Sequence, residues 1–174
     1  KVGNANPDFT LGWTNTFSWK GLVLSLLVDG RYGGKVLSQT QADMDMYGVT
    51  KVTGDARDKG YVMLEGQKIT NVKGFYKSIV GGRAGVTEYY MYDATNFRLR
   101  ELALGYTFPK RWMDATKFFR DVQLAFTARN LFFIYKKAPF DPDLILSTGN
   151  DNQAIEVYGM PTTRSMGFSL RVMF

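Results

Sequence analysis

An all-β fold of long antiparallel strands is what this sequence of 174 residues predicts. Three observations carry that expectation. Apolar residues recur at every second position in five stretches of about ten residues or more, the period of a strand with two unlike faces. The links between those stretches alternate between short and long. No run of about 18 apolar residues exists, so a transmembrane helix is excluded.

The first stretch spans about 8–20. Phe9, Leu11, Trp13, Phe17 and Trp19 share one face, and Thr10, Gly12, Thr14, Thr16 and Ser18 the other, with Asn15 the one intruder on the apolar side. The second, about 21–33, sets Leu22, Leu24, Leu26, Val28 and Tyr32 against Val23, Ser25, Leu27, Asp29 and Arg31. Lys20-Gly21 between them reads as a tight hairpin turn. The third, about 91–108, alternates cleanly at Leu102, Leu104, Tyr106 and Phe108. Upstream of these, Arg98 and Arg100 fall on the apolar parity. Either a bulge resets the register there or the strand has left its apolar surroundings. The fourth, about 122–134, alternates through Val122, Leu124, Phe126 and Ala128 and fails at Asn130-Leu131, a second bulge candidate. The fifth, about 163–174, places Met166, Phe168, Leu170, Val172 and Phe174 on one side.

Strands with one greasy and one polar face suit either a soluble sandwich or a membrane barrel. Length and aromatic placement favour the barrel. Soluble strands average about five or six residues, whereas a tilted membrane strand needs about ten. Trp13, Trp19, Tyr32, Tyr106, Phe108, Phe132, Phe133 and Phe174 cluster near strand ends, as aromatic girdles do. The link at 109–121 is compact, whereas about 34–90 and 135–162 are long. In outer-membrane barrels the long links are extracellular, which would put Phe174 on the periplasmic side. Five strands cannot close such a barrel, and an open edge leaves backbone groups unpaired in lipid. The expectation is therefore that Lys1 is an internal position and that the chain is the last part of a larger barrel. KVGNANPDF, which lacks a signal peptide's apolar segment, agrees.

Composition removes several function classes. There is no cysteine and no histidine, so thiolate chemistry, disulfides and the commonest metal ligand are absent. The carboxylates are dispersed over loops and form no catalytic set, so an enzyme is not expected, nor a cofactor. The net charge of +6 comes from Lys and Arg scattered among Asp and Glu, which argues against nucleic-acid binding.

In order, NPDFTLGWTNTFSWKGLVLSLLVDGRYG, NFRLRELALGYTFPKRW, VQLAFTARNLFFIYKKAPFDPD and MPTTRSMGFSLRVMF together resemble the C-terminal end of SusC/RagA-like TonB-dependent transporters of Bacteroidota-type outer membranes. The likeness rests on Asn6-Pro7-Asp8-Phe9, the strand from Arg98-Leu99-Arg100 to Gly105-Tyr106-Thr107-Phe108-Pro109, Ala128-Arg129-Asn130-Leu131-Phe132, Asp141-Pro142-Asp143, Pro161, Arg164 and Phe174. Met160 and Ser169 depart from it, standing where an aromatic and a glycine are common. The resemblance implies a 22-stranded barrel with a plug domain upstream. It also implies energy drawn from TonB, a SusD-like surface lipoprotein as lid, and import of oligosaccharides or peptides. It further implies that Phe168, Leu170, Val172 and Phe174 form the C-terminal signal read by the barrel assembly machinery.

Other candidates are local. LSQTQADMDMYG (37–48) reads as a helix capped by Ser38 with Gln41 and stopped at Gly48. Its Met44 and Met46 are as readily rim packing as a partner surface. Tyr89, Tyr90, Tyr92 and Asn96 are candidate contacts to ligand or lid, an interfacial girdle being the alternative for the tyrosines. Asp141, Asp143, Asn150 and Asp151 offer oxygens for Ca²⁺ but have ordinary turn composition and no EF-hand spacing. GGRAG (81–85) lacks the Lys and Ser/Thr of a phosphate loop and reads as a turn. Asp29, Arg31, Gln123, Thr127, Arg129, Ser169 and Arg171 would line a barrel lumen, bonded to neighbouring strands or to the plug.

Overall fold

A computed structural model describes residues 3–80, 86–116, 118–149 and 152–174. In chain order the elements are β1 (Phe9–Trp19), β2 (Leu22–Tyr32), β3 (Lys35–Ser38), α1 (Gln39–Met46), α2 (Lys51–Lys59), β4 (Val62–Leu64), β5 (Gln67–Ile69), α3 (Val72–Val80), β6 (Met91–Asp93), β7 (Asn96–Thr107), α4 (Lys110–Thr116), β8 (Asp121–Lys136), β9 (Ile155–Glu156) and β10 (Ser165–Met173). They separate into two units. One holds Pro7–Gly33, Thr95–Pro139 and Pro161–Phe174; the other holds Lys1–Asn6, Gly34–Ala94 and Phe140–Met160.

The first unit is a five-stranded antiparallel sheet in the order β1-β2-β7-β8-β10. Lys20 and Gly21 both have positive φ (46° and 88°), the two-residue turn whose twist matches a hairpin. Cross-strand register turns the alternation of each strand into rows that run the full width. Trp19, Leu22, Tyr106, Leu124 and Leu170 make one such row, and Phe17, Leu24, Leu104, Phe126 and Phe168 the next. On the opposite face the matching rows are Ser18, Val23, Gly105, Ala125, Ser169 and Thr16, Ser25, Ala103, Thr127, Gly167.

The arginines that break parity sit at a bulge. Leu27 pairs with Glu101 but Val28 with Leu99, so Arg100 is the extra residue in β7. Opposite it in β8, Leu99 pairs with Phe132 and Glu101 with Arg129, which leaves Asn130 and Leu131 out of register. Asn130 adopts φ +52°. Beyond this level Leu99 and Phe97 continue the apolar face, and Arg98 and Asn96 move to the polar one. Of the two readings open at Arg98, the bulge is the one observed.

The two long links fold into the second unit rather than remaining loops. β3 lies between β6 and β9, antiparallel to the former and parallel to the latter (Leu37 opposite Ile155). The strand expected from 91 is interrupted: Met91–Asp93 pairs with β3, and the long sheet strand begins at Asn96. α2 is capped by Thr50, which accepts from Thr53 N, and ends on Gly60 at φ +75°. Glu65 (φ +47°) and Gly66 (φ +84°) turn β4 into β5. Two hydrophobic clusters form here. One is Ala56, Val62, Val72, Phe75 and Tyr76; the other is Ala42, Val80 and Tyr90.

Candidate functional site

Ser38 begins α1 as its cap, accepting from Gln41 N at 3.1 Å, and Gly48 follows the helix at φ +72°. The capping pair is only half formed. The Gln41 side chain turns forward and donates to Asp45 Oδ1 (2.9 Å) instead of returning to the Ser38 backbone. Asp45, buried, also accepts from Thr50 Oγ1 (2.6 Å), which ties the end of α1 to the cap of α2. Ser38 itself donates to Glu156 Oε2 (2.6 Å). Glu156 is buried and further accepts from Thr40 Oγ1 (2.6 Å) and Gly159 N (3.1 Å). One carboxylate thus joins segments more than a hundred positions apart in sequence.

Around Asp45 stand the tyrosines. Burial first, then the neighbouring Tyr89 and Asp45, pushes the Tyr76 phenol up to about 12. Burial first, then Asp45, pushes Tyr92 up to about 12 and also raises Tyr89 and Tyr90. All stay neutral at physiological pH and act as packing groups. Of the four residues singled out as ligand or lid contacts, Tyr90 is 0% exposed and Asn96 1%. Both are core residues and present no side-chain surface to an incoming molecule. Tyr92 is half-buried with its ring edge-on to Phe140 (5.4 Å). Tyr89 alone remains open, packed on Phe75 and Tyr90 at 5.8 and 5.1 Å. With Lys35, Glu88 and Met91 it lines an open hollow of about 540 Å³. A site the sequence reading passed over is Tyr158, exposed, whose hydroxyl donates to Asp43 Oδ2 at 2.5 Å. That bond, chiefly, raises its pKa.

Asp141 Oδ1 accepts from Asp143 N (3.1 Å), the turn that such a stretch forms by itself. Asn150, Asp151 and GGRAG (81–85) lie outside the described residues. Among the described residues no three His, Cys, Asp or Glu side chains gather as metal ligands.

The terminal strand completes the sheet. Phe168 packs on Phe126 with its ring tilted (4.9 Å) and is 79% exposed, Leu170 is exposed beside Leu124, and Val172 pairs with Val122. Phe174 rests on Phe118 and Phe119 at 5.1 and 5.7 Å, beside Arg120, whose N–H donates to Met173 O (2.8 Å). The apolar face therefore stays open across all five strands.

The chain aligns with TonB-dependent receptor P3 of Formosa agariphila at 24% identity over 178 residues, covering 99% of this chain and 17% of that protein. TonB-dependent receptor P39 of the same organism is 25% identical over 157 residues, covering 89% and 14%. Its homologues are TonB-dependent receptors. The chain spans about a sixth of their length. No protein-family model matches it. In structure it is similar to the RagAB peptide importer, with a TM-score of 0.68 in the open-open state and 0.66 in the closed-closed state, both at 17% identity. The matches cover 98% and 95% of this chain and 17% of the importer chain.

The fold is thus all-β, an antiparallel sheet like that of a stretch of the RagAB importer chain, and the relatives are named as receptors and an importer rather than enzymes. On the polar face, Asp29 accepts from Arg100 Nε and Nη2 (2.9 and 2.5 Å), with Arg98 Nε 3.8 Å from its other oxygen. Glu101 accepts from Arg129 Nε at 3.0 Å.

Proposed function

We propose that this chain is the C-terminal part of an outer-membrane, TonB-dependent importer. In this reading its sheet supplies five of the barrel's 22 strands, and about 34–90 and 135–162 face the cell exterior. The carrying observation is the apolar face, continuous over five strands and open to its surroundings. Eleven residues of β1 reach roughly 33 Å along the strand, and a tilt of about 45° reduces that to roughly the 25 Å apolar band of a membrane barrel. A soluble carbohydrate-binding sandwich would need a second layer over this face. Among the described residues the hydrophobic clusters lie in the other unit. Open edges at β1 and β10 favour continuation of the sheet into further strands, since unpaired backbone groups in lipid cost several kcal/mol each.

The energy source is TonB, contacted by an N-terminal plug-bearing region, and the cargo is an oligosaccharide or peptide. A SusD-like lipoprotein covers the mouth, with Tyr89 as a contact. The barrel assembly machinery reads Phe168, Leu170, Val172 and Phe174, and outer-membrane lipid covers the apolar face. Relatives named as TonB-dependent receptors and a fold similar to a peptide importer support this reading. Uptake of labelled oligosaccharide and peptide pools, with the full-length receptor present, deleted or combined with TonB depletion, tests it. Loss of uptake in both depleted strains is expected. Unchanged uptake of every pool would sink it.

A further inference from the structure

Between β7 and β8 the chain runs through a link pinned to the sheet at both ends. Phe108 N–H donates to Val122 O (3.0 Å) before it, and Arg120 N–H donates to Met173 O (2.8 Å) after it. Aromatic rings gather at either end of the link. Trp112 packs on Phe108 at 6.0 Å, and Phe108 is edge-on to Tyr106 at 5.0 Å. Phe118 and Phe119 pack on Phe174. Trp112, Phe118 and Phe174 are nevertheless exposed, so these rings cluster without enclosing a core. Tyr106 stands in the same apolar row as Leu124 and Leu170, so its cluster prolongs the open face to its edge.

A hollow of about 660 Å³ opens beside the second cluster, lined by Lys110, Met113, Asp114, Phe118, Arg120 and Phe174 among others. Its wall thus combines two cations, one carboxylate and exposed rings. Lys110, Asp114 and Arg120 are all exposed, and no ion pair joins them among the described residues. A small inorganic anion would match the cations and leave the rings wet. An uncharged lipid would match the rings and leave the charges unmet. A phospholipid whose headgroup carries a primary ammonium matches every part of this wall. Its phosphate accepts charge-assisted hydrogen bonds, its ammonium donates to a carboxylate, and its acyl chains lie along aromatic side chains at the membrane surface.

Given the sheet as the membrane wall proposed above, we propose that this hollow binds the headgroup of an ethanolamine phospholipid. The phosphate lies toward Lys110 and Arg120, and the ammonium toward Asp114. The full-length receptor in detergent is titrated with dihexanoyl phosphatidylethanolamine, with the matching diacylglycerol and with inorganic phosphate. Native mass spectrometry counts what is bound. Saturable binding of the phospholipid, well ahead of the other two probes, is the expected result. Lys110→Gln and Arg120→Gln should weaken it about tenfold. Arg171→Gln, on the polar face of β10 and outside the hollow, should leave it unchanged. Asp114→Asn should abolish the preference for ethanolamine over choline headgroups. Diacylglycerol or phosphate binding as tightly as the phospholipid overturns the proposal, as does equal affinity in all the variants. The three probes are compared on the wild type, so that arm decides even where a variant fails to fold. The readout is binding in detergent rather than uptake, so failure here leaves the importer reading untouched.

Discussion

The two units use apolar residues in opposite ways. In the unit built from the long links, Val62, Val72, Phe75, Tyr76, Val80 and Tyr90 are buried against one another. In the sheet unit, Trp13, Phe17, Trp19, Phe168 and Leu170 stand open, and the most deeply buried large side chain is Arg98. One unit folds as a soluble domain does, around its own core. The other has its cohesion in backbone ladders, and its apolar side chains face outward. The same composition rules cannot describe both, because one unit buries its apolar side chains and the other leaves them open.

The largest test of that contrast is a charge on the open face. Leu104→Arg or Leu170→Arg should cost about 2–4 kcal/mol each at a bilayer midplane and sharply reduce correctly assembled receptor, whereas Ser169→Arg should be mild. Heat-modifiable migration of the full-length receptor reads the folded fraction. Equal tolerance at all three positions would count against a lipid-facing sheet.

Next in size is Glu156→Ala. It removes the acceptor for Ser38, Thr40 and Gly159, at an expected cost of about 3 kcal/mol confined to the link unit. Hydrogen exchange should quicken in α1 and β3 while β7 and β8 stay protected. A uniform loss of protection would blur the distinction between the units. Smaller again is Phe174→Ala, which loses the ring contacts to Phe118 and Phe119, about 1 kcal/mol. Assembly kinetics should slow more than final stability falls, if the end of the chain is read during insertion.

The smallest effect at neutral pH is titration. Tyr76 and Tyr92 have folded pKa values raised to about 12 from 10. Their stabilising contribution is complete below pH 10 and is lost as pH rises through 12. Tyrosinate absorbance of the receptor should therefore lag a free-tyrosine control above pH 10, until the link unit loosens. Coincident titration would place these phenols in water.

Much of this contrast is legible in the sequence. Period-2 alternation marks all five sheet strands, and Lys20-Gly21 marks their tight turn, because each depends on local pattern alone. The bulge announces itself only as a parity failure at Arg98 and Arg100, which fits two physical causes equally. The link unit is less legible. Thr50 three residues before Thr53, Gly60, the Glu65-Gly66 turn and the spacing of Val72, Phe75, Tyr76 and Val80 all signal it in retrospect. Each signal is short, and the pairing of β3 with β9 brings together positions more than a hundred apart. Tyr90 and Asn96 fail as surface contacts for the same reason. Burial depends on partners distant in the chain, and no local pattern around MYDATN encodes it.

Arg100 shows that a wall of this kind has a reading frame. Its codon is two residues long: one side chain for each side of the sheet. A single residue inserted into an ideal strand would transpose every later side chain, sending Phe97 and Leu99 inward and Asn96 and Arg98 outward. The bulge absorbs that extra residue at one level and restores the frame in the span that follows, with Asn130 and Leu131 adjusting on the neighbouring strand. Deleting Arg100 alone would remove the bulge and leave both faces of β7 as they are, which is how such a strand can change length without exchanging its two faces.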